Sequence, residues 1–187
     1  AGQRLFALHR FSVDGLPVAL DYAQIQVDGD LSSAESADVV LLPATGSDID
    51  NLLAQHTTLL AWLAHRPSSQ QLASICSSAF LLAAAGLLGD GPATTHWALA
   101  DSFRRRFPQV RLDERALLSQ QHNRFCSGGA QAGLDLCLHL IDWHAGPWLA
   151  QQVAAALVVE RHRGLQSRFQ PLLPEARQDD AGINALL

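Results

Sequence analysis

The chain has 187 residues, of which 48% are apolar and 17% charged, which excludes a disordered polypeptide and provides for one packed domain. A formal net charge of −5, with all 13 basic residues arginine, excludes holding a phosphate backbone by bulk charge. Three cysteines without a short framework spacing fit a reducing cytoplasm, and the most apolar run, residues 79–88, falls short of the roughly 20 residues of a membrane span.

In chain order, residues 4–13 read as a strand ending in an Asp14-Gly15 turn, and residues 25–27 as a short strand before Asp28-Gly29. Residues 37–42 (ADVVLL) form a continuous β-prone run, as a strand covered on both faces requires. Pro43-Ala44-Thr45-Gly46 breaks it. Ser47 is placed to cap a helix with Asp48 and Asp50 in its first turn, where carboxylates suit the helix dipole. Ile49, Leu52, Leu53, Leu60 and Leu63 mark its apolar stripe. Residues 72–75 read as a second buried strand, and residues 77–85 as a central buried helix closed by Gly86.

Thr95 is placed to cap a helix running to Arg106. Arg104, Arg105 and Arg106 fall in its last turn and read as dipole compensation on a solvated face rather than a nucleic-acid patch. Residues 110–112 and 117–125 read as strands. Residues 129–143 and 148–159 read as helices separated by Gly146-Pro147. Strands alternating with helices predict an α/β fold, with a parallel sheet covered on both faces and a ligand site at the carboxyl ends of its strands.

Cys76 is the sharpest chemical feature. It stands where an apolar strand turns directly into an apolar helix, an elbow that holds a side chain exposed and strained above a sheet. A helix N-terminus behind it is expected to lower the thiol pKa, and the Ser77 N–H to point towards an oxyanion. The plainer reading is a small buried hydrophobe. His96, within Ala93-Thr94-Thr95-His96-Trp97, is either a proton-transfer partner for the thiol or a structural histidine beside Trp97.

Gly128-Gly129, with Gly133 after it, allows a close backbone approach or an anion, but the chain has no lysine and hence no phosphate-loop lysine. Gln131, Asp135, His139 and Asp142 share one helix stripe. They read as a polar edge beside Leu134, Leu138 and Ile141 in preference to a metal or acid–base face. Cys126, Cys137 and His139 do not have zinc spacing, so neither a metal nor a cofactor is called for.

Residues 73–88 (ASICSSAFLLAAAGLL), followed by Ala93-Thr94-Thr95-His96-Trp97, closely resemble the ThiJ/PfpI superfamily. The resemblance implies a flavodoxin-like three-layer α/β sandwich with a mostly parallel sheet, shared with class I glutamine amidotransferases. Residues 125–136 (FCSGGAQAGLDL) and 157–169 (LVVERHRGLQSRF) resemble one branch of it: AraC-type transcription regulators with an amidase-like N-terminal domain. The likeness runs over about residues 4–170.

Residue by residue, Cys76 matches the family's elbow cysteine, His96 the histidine after it, and Ser77 the amide of the oxyanion pocket. Ala44 and Thr45 match the family's PGG loop. The family's glycines two residues before and after the cysteine are Ser74 and Ser78 here. Their Cβ atoms are expected close to where a substrate carbonyl would sit, which counts against catalysis. The chain lacks methionine, and the resemblance places Ala1 just past the family's first strand and helix, which carry the acidic partner of the cysteine. An open sheet edge is then expected.

Residues 1–170 are thus expected to form an effector domain, and residues 171–187 the start of a linker to an AraC-type helix-turn-helix domain absent from this chain. The expected function is a cytoplasmic, homodimerising sensor of a small-molecule effector, with Ala44, Thr45, Cys76, Ser77 and His96 around the ligand. It would reach DNA through the helix-turn-helix part and would not engage a membrane. The alternative is a cysteine-dependent amidase or isonitrile hydratase-like enzyme, with Cys76 as nucleophile and His96 assisting proton transfer. A redox sensor using an oxidisable Cys76 is a third class.

Overall fold

In the computed structural model, residues 5–20, 22–161 and 163–169 are described. Arg4 and the expected linker, residues 171–187, lie outside them. The N-terminal stretch expected as a strand is not one. Among the described residues it makes one parallel bridge, Phe11 to Gly29, and paired contacts between Arg10 and Asp28, with no strand paired along its length. A small antiparallel ribbon follows, β1 (Val18–Ala19) with β2 (Gln24–Ile25).

β3 (Val39–Leu42) enters the main sheet. Helix α1 (Ile49–Gln55) begins one residue later than expected: Asp48, not Ser47, is the cap, and its carboxylate accepts from the Asn51 N–H at 3.1 Å. The apolar stripe does not lie on one continuous helix. The backbone leaves helical geometry at His56, and α2 (Thr57–Ala64) continues from there. β4 (Gln71–Ile75) passes through Cys76 into α3 (Ala79–Ala84). Gly86, at φ 72°, ends that helix in the left-handed region.

β5 (Pro92–Ala93) pairs in parallel with β6 (Arg111–Leu112), and between them lies α4 (Ala100–Arg106). The stretch expected as one strand over residues 117–125 is a hairpin of β7 (Leu118–Gln121) and β8 (Arg124–Ser127). Its turn is held by His122 at φ 51°, a left-handed position that sequence assigns to Gly or Asn first. α5 (Ala132–Ala145) and α6 (Pro147–Ala156) follow, joined at Gly146, and a 3-10 turn at Gln166–Phe169 ends the described residues.

The main sheet runs β3-β4-β8-β7, with β3, β4 and β8 parallel and β7 antiparallel. Leu72 and Cys126 face a core built with Leu63, Phe80, Leu82 and Phe103. Ala73 and Phe125 face Leu136 and Leu140 of α5 on the other side. Sheet residues alternating between two helical layers make the flavodoxin-like three-layer sandwich. β3 is not covered on both faces as expected: it is the outer strand, and Leu41 is 40% exposed.

Candidate functional site

The carboxyl ends of β3 and β4 converge on Cys76. Its φ of 59° is the strained left-handed geometry of an elbow, and a non-glycine residue holds it at a cost. The next residues supply the restraint. Ser78 is fully buried; its hydroxyl accepts from the Ile75 N–H at 2.8 Å and lies 2.9 Å from the Leu42 carbonyl, tying the two strand ends together. Ser74, also fully buried, turns its hydroxyl to the Phe125 carbonyl. Both serines therefore spend their side chains inside the sheet. They do not project into the site, as their place beside the cysteine suggested.

Ser77 joins the elbow to the Pro43–Gly46 loop. Its Oγ accepts from the Thr45 N–H at 2.9 Å and lies 3.0 Å from the Thr45 hydroxyl. Ala44 stands in the same loop. Thr95 does not cap the helix that follows it. Its hydroxyl donates to the Cys76 carbonyl at 2.9 Å, a contact over 19 residues of sequence. His96 instead caps the 3-10 turn Trp97–Leu99 that leads into α4, accepting from the Ala98 N–H through Nδ1 at 3.2 Å. Thr45, Cys76, Ser77 and Thr95 are thus hydrogen-bonded into one cluster, with His96 next in the chain.

The electrostatics depart from the sequence expectation. Burial pushes the Cys76 thiol pKa up, against smaller opposing contacts from the Ser77 backbone and hydroxyl. The helix behind it is too short to reverse that: one 3-10 turn and then six residues of α3. Burial also lowers the His96 pKa, so the ring is held neutral. A backbone N–H donating to Nδ1 requires that nitrogen to be unprotonated. Neutral His96 therefore carries its proton on Nε2 and offers a donor rather than a base.

Of the glycines near the site, Gly133 serves packing, since a Cβ there would stand 3.0 Å from Ile75 Cδ1, whereas one on Gly129 would make an ordinary contact, 3.5 Å from His96 Cδ2. The polar stripe of α5 is an attachment edge. Asp142 accepts from Arg161 at 2.7 Å, Asp135 pairs with Arg163, and His139 Nε2 lies 2.9 Å from Gln120 Oε1. Two cavities, of about 540 and 280 Å³, flank Arg163 along α5; neither is lined by Cys76 or His96. The strained backbone and the hydrogen-bonded cluster around it, not these two cavities, mark the candidate site.

Sequence reasoning missed Gln166. It is 4% exposed, and its amide donates to the Thr95 carbonyl at 2.9 Å, directly behind the elbow. The available signal was a glutamine within the motif-like run of residues 157–169. Among the described residues no helix is long and apolar enough to cross a membrane, and no group of three or more His, Cys, Asp or Glu is placed to hold a metal ion.

No family model matches the chain. It is 31% identical over 167 residues to the HTH-type transcriptional regulator GbdR of Pseudomonas aeruginosa, covering 89% of this chain and 45% of GbdR. It is 29% identical over 144 residues to the isonitrile hydratase of Pseudomonas putida, covering 77% of this chain and 61% of that enzyme. Among solved structures, a ThiJ/PfpI family protein from Pseudomonas syringae superposes with a TM-score of 0.68 at 24% identity, covering 92% of this chain and 66% of that one. An AraC family transcriptional regulator from Pseudomonas putida superposes with a TM-score of 0.57 at 22% identity, covering 80% of each chain. The chain spans about half the length of the GbdR regulator it matches.

Proposed function

We propose that this chain, which is similar over 89% of its length to an HTH-type transcriptional regulator and shares its fold with a ThiJ/PfpI family protein, is the ligand-sensing and dimerising domain of an AraC-type regulator. The effector is a small molecule seated at Cys76, bounded by Ala44, Thr45, Ser77 and His96. DNA is contacted by a helix-turn-helix part outside this chain, and the protein works in the cytoplasm as a homodimer. Binding shifts the relative placement of the DNA readers by favouring one of two arrangements.

One observation carries the reading: the regulator likeness extends over 89% of this chain, through the elbow and onward to the Gln166 segment. The site chemistry supports it. A thiol kept protonated and a histidine offering Nε2–H suit recognition of an acceptor group better than nucleophilic attack. Thermal-shift screening against amino acids, betaines and polyamines tests it. A ligand at 100 times its Kd adds about 2.7 kcal/mol, a Tm rise of roughly 5–10 °C for a domain of this size. The rise disappears in Thr45→Ala and His96→Ala. A panel with no ligand that raises Tm counts against the sensor.

The second reading is a cysteine-dependent enzyme, favoured by the 29% identity to an isonitrile hydratase and by the strained elbow. Turnover of an amide or isonitrile that Cys76→Ala abolishes decides for it.

A further inference from the structure

After α6 the chain turns at Val158, with φ 56°, and runs back along α5. Arg161 and Arg163 dock this strap on the polar stripe: Arg161 on Asp142, Arg163 on Asp135 and on the Gln131 carbonyl at 2.9 Å. Leu165 bridges Ala116 in antiparallel fashion, and the Gln166 N–H donates to the Arg115 carbonyl at 2.8 Å.

The Gln166 side chain then enters the protein. Its Nε2 serves three acceptors: the Thr95 carbonyl at 2.9 Å, the Ala116 carbonyl at 3.0 Å and the Thr94 hydroxyl at 3.1 Å. The two amide hydrogens are shared among three acceptors, two of them on the Thr94–Thr95 segment, so a shift of that segment changes most of the bonding of a group too buried to turn to water. The room for this amide is made at Gly128, where a Cβ would lie 2.5 Å from the Gln166 Cδ and Oε1. The adjacent Gly129 faces His96. Thr95 holds the Cys76 carbonyl by its hydroxyl and Gln166 by its carbonyl. The elbow and the strap therefore share one residue.

We propose that Gln166 is the coupling residue of the domain, converting a change at the Cys76–His96 site into release of the strap over residues 163–169. A group entering the site displaces the Thr94–Thr95 segment, the Gln166 amide loses the Thr95 carbonyl and the Thr94 hydroxyl and keeps the Ala116 carbonyl alone, and the strap moves from docked to free. The proposal rests on the sensor reading for its biological meaning.

The experiment uses the chain as it stands. Iodoacetamide fills the site at Cys76, with alkylation verified by peptide mass spectrometry; Cys76→Phe fills it without reagent. Deuterium uptake is followed over residues 163–169. Filling the site by either means raises that uptake rate at least fivefold, while the amides of α6 keep theirs. Gln166→Glu keeps the shape but removes the donor, and Gly128→Ala expels the amide without altering it. Both variants show fast strap exchange from the start, with no further response to filling. Unchanged exchange after either filling, in protein that still melts cooperatively, overturns the coupling. So does a full response that persists in both variants. An effector that raises Tm yet leaves strap exchange unchanged sinks the coupling alone. An effector screen without a hit sinks the sensor reading and leaves the strap result standing.

Discussion

The Gln166 amide nitrogen and the Thr95 carbonyl oxygen meet at 2.9 Å across 71 residues of sequence, while the Thr95 hydroxyl reaches the Cys76 carbonyl. The strained elbow is therefore held from behind by groups brought from two distant parts of the chain. Thr95 is fully buried, so its hydroxyl has no solvent alternative. Thr95→Val removes this bond at nearly constant volume and leaves the Cys76 carbonyl without that donor. The expected loss is about 1–3 kcal/mol, read by urea denaturation against the parent chain. A change below a few tenths of a kcal/mol would show that the elbow does not depend on Thr95.

Cys76 is expected to react slowly at neutral pH. Burial raises its thiol pKa over the opposing contacts from Ser77, so the thiolate is scarce until the pH passes the ordinary thiol value of about 8.5. The rate of Cys76 alkylation by iodoacetamide should rise with a midpoint above that value, resolved from Cys126 and Cys137 by peptide mass spectrometry. A midpoint at or below about 7.5 would restore the activated cysteine and the enzyme reading with it. Ser77→Ala, which removes one of the contacts that stabilise the thiolate, should move the midpoint further up.

His96 contributes a pH dependence of definite sign. Its folded pKa lies below the unfolded value of about 6.5 because burial disfavours the charged ring. Between those two values the unfolded chain binds the extra proton and the folded chain does not. Stability from this group is therefore complete above about 6.5 and falls as the pH drops through the window towards the folded pKa. Protonation would also end acceptance from the Ala98 N–H. His96→Asn keeps a capping acceptor and cannot titrate. The stability difference between parent and His96→Asn should shift against the parent on going from about pH 7.5 to pH 5. A difference that stays constant over that range removes His96 from the acid response.

The elements that sequence made legible are those with continuous apolar patterns. β3, β4 and α3 announce themselves as runs such as ADVVLL and AFLLAA, and the elbow at Cys76 lies between two of them. What escaped depends on contacts between distant residues. The N-terminal stretch has strand composition, but a strand exists only beside a partner, and Phe11 finds one bridge. The β7–β8 turn carries no glycine to mark it. Thr95 sits where a cap belongs, yet its hydroxyl is taken by Cys76 and the cap passes to His96. The thiol shift follows from burial, a tertiary quantity, and reverses the sign that the local helix start suggests. In the same way the α5 stripe could be recognised as polar from spacing alone, while its arginine partners lie 19 and 28 residues downstream.

The Asp135–Arg163 pair gives the strap its firmest electrostatic hold, and its energy can be isolated. The Asp135 side chain is 8% exposed and Arg163 23%, so the pair is only partly open to screening by salt. Arg163 spans both carboxylate oxygens through Nε, at 3.1 and 3.2 Å, and its NH2 group reaches the same carboxylate and the Gln131 carbonyl. The hydrogen bond to Asp135 raises the Arg163 pKa, which favours the charged guanidinium. Removing the arginine strands a nearly buried carboxylate; removing the carboxylate charge strands the arginine less, because Arg163 is more exposed. Arg163→Met is therefore expected to destabilise the chain by about 1–3 kcal/mol and Asp135→Asn by less. Arg163→Met with Asp135→Asn should cost less than the sum of the two, with a coupling of roughly 1 kcal/mol or more in a double-mutant cycle by urea denaturation. That coupling should persist at about 1 M salt, where an exposed pair would lose most of it. Additive single-variant costs would mean that the strap is held by Leu165 and Gln166 rather than by the α5 stripe.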